Sequence, residues 1–330
     1  MKVGIPQSLL YSYYYPLWKT YFEALGIEVV ATPTTTKEIM DLGVKNSVPE
    51  LCVPIKVYIG HVLKLEEMEV DYIYVPRFVS ISKGQYFCPK FMGLPDMIRY
   101  SFPDIVDKLI IPTIEAQDEN IAHYKNFRIF EEIFKITPKE NRAALRKAEG
   151  VWLTFRSHCL KGYTAMEAMD LSFGEIMEEK FEAIEEGVTI GLVGYVYNVY
   201  DPFISMDIVK KIRSMGVGVK TFEMLEENEI NRQLKYLQKN LFWTFSDKIL
   251  ASGYSFYNDE DVDGLIHFTA FGCGPDSMLG KLLEMESPSF RKPFMTIRVD
   301  EHSGENHLQT RIEAFVDMLR RKKQKSRRGA

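Results

Sequence analysis

The sequence of 330 residues is 46% hydrophobic and 26% charged, with a formal net charge of −5. This ordinary globular composition is long enough for one large or two medium domains, and it excludes a disordered or low-complexity protein. The four cysteines lie 36, 71 and 114 residues apart, which is too sparse for a disulfide framework.

The start of the sequence resembles a first strand, Lys2–Ile5, rather than a charged start followed by an apolar signal core. Polar residues interrupt every apolar stretch well before the roughly 18 residues that a membrane helix needs. We therefore expect a cytoplasmic protein with no membrane partner, in which thiols stay reduced and are available for metals or catalysis.

The charge is unevenly distributed. Seven basic residues crowd the last eleven positions, and without them 34 basic residues face 46 acidic ones, a balance of −12. An acidic body argues against a nucleic-acid binder, so no nucleic-acid partner is expected. A solvated helix end, where Lys and Arg complement the helix dipole, explains the tail better than an RNA or anionic-lipid contact does.

The first third of the chain predicts alternating strands and helices. Lys2–Ile5 is apolar and β-prone, and Tyr13–Leu25 has helical periodicity with Gly26 where a C-cap glycine belongs. Ile27–Ala31 is the next predicted strand. Two further strands are predicted at Asp71–Val75 and Lys108–Ile111.

Residues 188–222 repeat this plan. A Tyr-x-Pro turn opens the helix in both places, at Tyr14–Pro16 and at Tyr200–Pro202, and proline suits a first helical turn. The predicted elements of the repeat are the strand Thr189–Val193, the helix Ile204–Met215, the stop Gly216 and the strand Val217–Thr221. Beyond them we predict the strands Gly264–Thr269 and Pro293–Val299 and a C-terminal helix at about His307–Lys323.

This order of elements predicts an α/β fold with parallel sheets, right-handed crossovers and two related halves. Residues 113–187 look mostly helical and charged, as in Glu175–Glu186, and we interpret them as a helical insertion and connector. The predicted domains are therefore an N-terminal α/β domain at 1–187 and a C-terminal α/β domain at 188–330, which includes the long helix and the basic tail.

Three cysteines fall in loop or helix-start contexts beside Pro or Gly. Cys88 and Cys273 occupy comparable places in the two halves, after a strand and before a helix, and ligand sites form at the carboxyl ends of parallel strands. Cys52 begins an apolar segment that runs to Leu65, where a helix N-terminus would lower its thiol pKa. Such loops are typical of Fe–S ligation, but three buried, inert cysteines explain the pattern equally well at this point.

Other candidates are weaker. Cys159 lies inside the helical connector without flanking Gly or Pro, so a packed or surface thiol is favoured over a ligand. In the turn after the last strand, Glu301 and His302 are weak candidates for acid–base or metal chemistry. A polar turn in which Ser303 caps the following helix is the favoured interpretation there.

His61 lies about 13 Å along the predicted helix from Cys52, so we expect a structural histidine. For the tyrosine run Tyr11–Tyr15, lining of a cleft and packing in a core remain equally good interpretations. The sequence has no GxxxxGK[ST], GxGxxG or GxSxG motif, so any ATP must be bound by a partner.

Taken together, the motifs resemble the stand-alone iron–sulfur proteins related to 2-hydroxyacyl-CoA dehydratases and their activases. These belong to the wider 2-hydroxyglutaryl-CoA dehydratase and double-cubane-cluster reductase superfamily. Tyr195 stands where the resemblance leads us to expect a histidine. The segments that carry the resemblance span nearly the whole chain in one order: Val3–Pro6, Cys52–Lys56, Cys88–Asp96, Tyr197–Pro202, Phe271–Ser277, Asp300–Glu305 and Thr310–Phe315.

The resemblance implies two flavodoxin-like (Rossmann-like) domains that face a cleft, with an oxygen-sensitive [4Fe–4S] cluster held by Cys52, Cys88 and Cys273. Cys159 matches no motif of the family. An ATP-hydrolysing activase with its own Fe–S cluster would supply single low-potential electrons, which drive reduction or dehydration of a small substrate or an acyl-CoA in anaerobic metabolism. A second subunit or a homodimer is compatible with this picture, since the dehydratases proper have two subunits.

Two other interpretations remain. The chain could be a non-catalytic, cluster-bearing electron carrier or regulator that docks onto an activase or a larger enzyme. It could also be a metal-free two-domain binding protein, which requires every cysteine to be structural.

Overall fold

The computed structural model describes residues 1–175, 187–235 and 241–328, with side chains described up to residue 325. Within them the chain is an α/β protein with two four-stranded parallel sheets, one in each half of the sequence, which confirms the predicted fold class. Apart from Glu175, the predicted helical segment Glu175–Glu186 lies outside the described residues. The domain boundary near residue 187 stays a prediction.

The first half follows the predicted alternation of strands and helices, with short helices and a 3-10 turn (Pro103–Lys108) before its last main strand. Its elements are β1 (Lys2–Ile5), α1 (Tyr11–Ala24), β2 (Glu28–Ala31), α2 (Lys37–Lys45), α3 (Val53–Glu67), β3 (Tyr72–Tyr74), β4 (Arg77–Ile81), α4 (Pro89–Met92), α5 (Leu94–Ser101), β5 (Leu109–Ile110) and β6 (Thr113–Ala116).

A group of helices connects the halves. They are α6 (Tyr124–Phe127), α7 (Ile129–Phe134), α8 (Pro138–Leu160) and α9 (Ala165–Ser172). Both α8 and α9 begin with a capping box, in which a threonine and a glutamate three residues later satisfy each other's backbone N–H.

The second half repeats the alternation and ends in the long C-terminal helix. Its elements are β7 (Thr189–Val193), α10 (Val196–Val199), α11 (Pro202–Ser205), α12 (Ile208–Ser214), β8 (Gly218–Lys220), α13 (Glu227–Leu234), α14 (Thr244–Asn258), β9 (Gly264–Ala270), α15 (Gly274–Phe290), β10 (Phe294–Val299) and α16 (Glu305–Arg328).

The two main sheets have the same strand order. The first is β2-β1-β3-β5 and the second is β8-β7-β9-β10, so each runs second, first, third, fourth in its own half. In the first sheet Lys2 to Ile5 pair in parallel with Glu28 to Ala31. This is the flavodoxin-like order, in which the carboxyl ends of the first and third strands border a crevice. The internal repeat predicted from the sequence is therefore a repeat of topology.

Three sequence predictions need correction. The Tyr14–Pro16 segment does not open the first helix, because α1 begins at Tyr11 and Pro16 lies inside it. The predicted helix Ile204–Met215 is two short helices, α11 and α12, because Met206 and Asp207 both adopt left-handed backbone with φ of 51° and 56°. The predicted helical region from residue 113 begins instead with the strand β6, which pairs in parallel with β4 as a separate two-stranded sheet. The strand β4, which begins directly after Pro76, was also not predicted.

Close helix packing positions α3, which begins at Cys52. Gly43 of α2 and Gly60 of α3 face each other, and a Cβ at Gly43 would lie 1.9 Å from the Lys56 carbonyl oxygen. A Cβ at Gly60 would lie 2.1 Å from the Ile39 carbonyl oxygen. Because both contacts are with backbone, a side chain at either position would push the two helices apart.

The core joins the halves through aromatic side chains. The Tyr13 ring of α1 lies 5.7 Å from that of Phe155 in α8 and 6.2 Å from that of Phe245 in α14. Beside them the buried Glu119 carboxylate accepts hydrogen bonds from the Lys248 ammonium at 2.5 Å and the Tyr13 hydroxyl at 2.7 Å. The first half, the connector and the second half therefore share one packed core.

The C-terminal helix α16 is longer at both ends than predicted. Two residues of the basic tail contact the second half: Arg320 donates to the Met215 carbonyl oxygen, and Lys323 lies 2.9 Å from the Asp263 carboxylate. Among the described residues, every helix is too short or too polar to cross a lipid bilayer.

Candidate functional site

Three of the four cysteines occupy the same local position, the N-cap of a helix. Cys52 precedes α3, Cys88 precedes α4 and Cys273 precedes α15, each with extended backbone and with proline among the first two helical residues. Proline preorganises a first turn, and an N-cap residue must leave the helical conformation, so each side chain faces a helix start. None of the three side chains makes a capping hydrogen bond.

The fold brings these three cysteines together. A Cβ at Gly272 would lie 3.8 Å from the Cys52 Cα, so the loop that contains Cys273 passes directly over the start of α3. Cys52 and Cys88 both raise the pKa of the Cys273 thiol electrostatically, and Cys88 does the same to Cys52. Residues up to 221 positions apart in sequence thus meet at one point between the halves.

Burial raises the pKa of all three thiols above the usual value. Backbone N–H groups of the first helical turns oppose this effect, from Ile55 at Cys52 and from Phe91 at Cys88. Lys90 also lowers the pKa of both of these thiols. Because burial outweighs these effects, the thiols are protonated at neutral pH. A metal that binds here must therefore displace their protons.

Three cysteine thiols are the type of ligand that holds an Fe–S cluster. Within residues 1–175, 187–235 and 241–325, no three His, Cys, Asp or Glu side chains are close enough to hold one metal ion. In an Fe–S cluster each thiolate binds a different iron, so its ligands lie farther apart than the ligands of one ion. The three thiols make no capping hydrogen bonds, and each has helix N–H groups beside it.

Cys159 lies elsewhere, fully buried on α8. Burial raises the pKa of its thiol, and Arg156 is the main group that opposes this. Its electrostatic neighbours are Arg156, Glu223 and Glu119 rather than the other cysteines.

Two stacked tyrosines stand beside the cysteines. The rings of Tyr195 and Tyr197 lie 5.0 Å apart and nearly parallel, and the Tyr195 hydroxyl is 2.5 Å from the Ser246 hydroxyl. Burial raises the pKa of both phenols, and Cys273 and Cys88 contribute to the rise. Tyr195, where the resemblance led us to expect a histidine, is therefore a neutral, hydrogen-bonded side chain.

Tyr197, which is near the cysteines, also lines a cavity of about 190 Å³. The cavity is lined by the loops that follow β1, β2 and β7, which contribute Gln7, Thr35 and Asp201 among others. The carboxyl ends of strands from both sheets therefore border one crevice, as expected for open α/β sheets. Of the tyrosine run, Tyr11 lines this cavity whereas Tyr13 and Tyr14 are fully buried, so each of the two interpretations holds for part of the run.

A buried chain of hydrogen bonds crosses from one wall of the cavity to the other. The Gln7 N–H donates to the Thr32 hydroxyl, which lies 2.6 Å from His61 Nδ1. His61 Nε2 lies 2.9 Å from the Thr35 hydroxyl, which donates to the Asp201 carboxylate at 2.5 Å. Because Thr35 gives its only proton to Asp201, it accepts from His61, whose Nδ1 then accepts from Thr32.

Two groups of this chain have perturbed pKa values because they are buried. Burial lowers the pKa of His61 to about 3 and raises that of Asp201 to about 6. His61 is thus neutral, and its tautomer is determined by its neighbours. Asp201 also accepts the backbone N–H groups of Phe203 and Ile204, so it caps α11. The predicted structural histidine links the two halves.

The turn after β10 contributes an ion pair between the halves. Glu301 accepts a hydrogen bond of 2.8 Å from Lys56, which is only 4% exposed and lies one turn after Cys52. This bond lowers the pKa of Glu301. His302 is exposed, and the Ser303 hydroxyl bonds to Asp300 rather than to the first turn of α16. Glu301 is therefore occupied by Lys56 and His302 faces solvent, so the two side chains do not converge on one position where they could act as acid and base.

One pair near the site was not predicted. His267 in the middle of β9 lies 2.9 Å from the Asp276 carboxylate, in the first turn of α15, and both are buried. Asp276 raises the pKa of the nearby Cys273 thiol. The sequence signal was present, since an acid three residues after an N-cap is typical of a helix start, but its partner on β9 depends on the fold.

Comparison with known proteins places these features in a family. A family model described as CoA enzyme activase uncharacterised domain (DUF2229) matches residues 2–225, a segment that contains Cys52 and Cys88 and ends before Cys273. No curated protein matches the chain.

Two solved structures are similar over nearly the full length. The SBP FpvC from Pseudomonas aeruginosa in complex with Mn2+ is 11% identical, with a TM-score of 0.28, over 98% of this chain and 99% of that chain. A mutant of FpvC from the same organism is 11% identical, with a TM-score of 0.27, over 97% and 100%. Similarities this low support no inference about function.

Proposed function

We propose a function for this chain, which belongs to the family described as CoA enzyme activase uncharacterised domain (DUF2229). The chain holds a [4Fe–4S] cluster on Cys52, Cys88 and Cys273 and works as the substrate-side component of an ATP-dependent, low-potential electron-transfer system. Its reaction is the reduction or dehydration of a small substrate in the cavity beside Tyr197. The observation that supports this most directly is the convergence of three helix N-cap cysteines next to that cavity.

The residues around the cysteines suit a negatively charged group. Helix N-termini present unpaired N–H groups and a partial positive charge, which stabilise anions. Lys90 adds a full positive charge near Cys52 and Cys88. A bound [4Fe–4S] cluster supplies single low-potential electrons, and hydrogen bonds to its sulfurs and burial set its potential. The chain's own contribution is to orient the three thiolates, limit water and keep Tyr197 beside them and the substrate.

An activase is the expected partner because the chain itself has no phosphate-binding motif. The family description, which names a CoA enzyme activase, supports a role in such a system. An ATP-hydrolysing activase with its own cluster would deliver the electron, and an acyl-CoA is one candidate for the substrate.

Anaerobic purification followed by iron and sulfide counting tests the cluster. We expect brown protein with close to four irons per chain, an EPR signal after reduction, and loss of both in Cys273→Ala, Cys88→Ala and Cys52→Ala. Cys159→Ala is the matched control, since it removes a thiol from the core and should retain the iron. Colourless protein without iron after anaerobic reconstitution would refute the proposal.

A second measurement separates a catalytic component from an electron carrier. If substrate binds in the cavity beside the cysteines, the EPR signal of the reduced protein should change when acyl-CoA thioesters or other substrates of the partner enzyme are added. A signal that no candidate alters, together with four protein ligands, would identify a carrier or regulator.

A further inference from the structure

The Tyr197 hydroxyl differs from those of the neighbouring tyrosines, because it has no hydrogen bond within the described residues. The Tyr195 hydroxyl is 2.5 Å from that of Ser246, and the Tyr200 hydroxyl donates to that of Thr221 at 3.2 Å. Tyrosine hydroxyl groups near a protein core usually have a partner. The partner of Tyr197 is therefore a molecule that enters its surroundings, either water or a ligand.

This hydroxyl is also open to small molecules. In the described part of the chain, Ser12 and Asn198 have polar atoms that lack a partner, but protein encloses those atoms, and the Tyr197 oxygen is not enclosed in this way. Tyr197 is only half-buried, and it lines the cavity of about 190 Å³. A ligand can therefore contact the Tyr197 hydroxyl, whereas Ser12 and Asn198 are out of its reach.

Among the residues that line the cavity, Tyr197 is the one near the cysteines. All three helix N-cap cysteines raise the pKa of its phenol. No cysteine is among the main contributors to the perturbed pKa values of the lining residues Tyr11, Tyr200 and Asp201. A ligand that extends from the cavity toward the sulfur atoms therefore passes Tyr197, whose phenol keeps its proton and can donate it in a hydrogen bond.

Packing fixes the direction of this donor. The Tyr197 ring stacks on that of Tyr195, with centroids 5.0 Å apart and planes 8° from parallel. It also lies 6.2 Å from the ring of Phe91, which belongs to the short helix that follows Cys88. A donor that is already oriented loses little freedom when an acceptor binds, so more of the hydrogen-bond energy contributes to binding.

We infer that Tyr197 is a substrate-binding residue that donates a hydrogen bond to a carbonyl or hydroxyl oxygen of the substrate, where the cavity approaches the cysteines. The inference rests on the proposed function in treating this cavity as the substrate site. In both reactions proposed there, negative charge grows on such an oxygen: on the carbonyl during reduction and on the departing hydroxyl during dehydration. A fixed donor at that oxygen stabilises the charge as it develops.

Tyr197→Phe tests the contact, since it removes the hydroxyl and keeps the stacked ring. Cyclopentanone, cyclopentanol and cyclopentane are suitable probes, because they share one ring and only the first two carry an oxygen. In ligand-observed NMR titrations of reduced, iron-free protein, we expect the variant to bind both oxygenated probes about three- to tenfold more weakly and cyclopentane equally well. Tyr100→Phe, at a position that is 81% exposed and outside the cavity, is the matched control and should change none of the affinities.

Equal changes for cyclopentanone and cyclopentane in Tyr197→Phe would overturn the inference. So would a wild-type protein that does not bind cyclopentanone below about 50 mM. The wild-type protein with isotope-labelled tyrosine Cζ atoms gives a second measurement, in which the NMR signal that is missing from Tyr197→Phe belongs to Tyr197. That signal should move farther with cyclopentanone than with cyclopentane, and movement of the same size with both would contradict a hydrogen bond.

Because these titrations use iron-free protein, their outcome is independent of the cluster. Absence of iron after reconstitution, together with binding that depends on the Tyr197 hydroxyl, would refute the cluster and leave the hydrogen bond standing. A full complement of iron, together with unchanged cyclopentanone binding in Tyr197→Phe, would refute the hydrogen bond and leave the cluster standing.

Discussion

Cys273 lies between two glycines, and alanine at these two positions should have opposite effects. Gly272 has φ of +80°, a conformation that an L-residue adopts at a cost. A Cβ there would lie 3.8 Å from the Cys52 Cα, an ordinary van der Waals distance, so the backbone conformation is the only penalty. Gly274 is the first residue of α15, and a Cβ there would meet nothing within 4 Å.

The magnitudes follow from these conformations. Left-handed backbone costs alanine about 1–2 kcal/mol, so Gly272→Ala should destabilise the protein by that amount or displace the loop that presents Cys273 to Cys52. Gly274→Ala should be neutral or stabilising by up to about 1 kcal/mol, because alanine favours a helix and restricts the unfolded chain. The two variants should therefore differ by about 1–3 kcal/mol in the free energy of unfolding.

Urea unfolding of the reduced, iron-free variants measures the first effect. The rate at which a chelator removes iron from the reconstituted variants measures the second, and it should rise in Gly272→Ala only. If both variants unfold at the same urea concentration and lose iron at the wild-type rate, the loop is not held as described.

Three further predictions concern contacts between the halves. Glu301→Ala leaves the Lys56 ammonium buried without a partner and should cost about 3 kcal/mol in urea unfolding, whereas Lys56→Met should cost less, because the more exposed Glu301 can be hydrated. Between about pH 6.5 and 3 the unfolded chain binds a proton at His61 that the folded chain does not, so stability should fall as pH falls, and His61→Gln should flatten that slope. The contribution of Asp201 to the pH dependence of stability has the opposite sign, because the folded carboxyl binds a proton up to about pH 6. Acidification below that pH should therefore stabilise the fold through Asp201, and Asp201→Asn should remove this gain when unfolding is measured over the same pH range.

The strands were predictable because buried parallel strands leave an apolar run that ends at a turn. β1 and β7 begin and end where the sequence predicts, and β9 and β10 differ by one residue. β4 and β6 were missed because they pair only with each other and each directly follows a proline, Pro76 or Pro112. The break at Met206 and Asp207 was missed because neither residue is a glycine, so no sequence signal announced left-handed backbone there.

The meeting of Cys52, Cys88 and Cys273 could be anticipated from their places at helix starts and strand ends, together with the family resemblance. Their surroundings could not. Lys56 and Glu301 are 245 residues apart and pair only because α3 and the turn after β10 meet across the two halves. The chain of hydrogen bonds through His61 likewise depends on which loops face each other, and neither periodicity nor spacing reports this.

The shared topology of the halves has a consequence for the symmetry of the site. Two helices separate the second and third strands in each half, and the second of them begins after Cys52 in one half and after Trp243 in the other. The Trp243 segment pairs with Tyr86, two residues before Cys88, so this helix start also borders the site. The two halves therefore offer four corresponding helix N-cap positions around the site. Three of them hold cysteine and the fourth holds Trp243, so the two halves contribute unequally to the site.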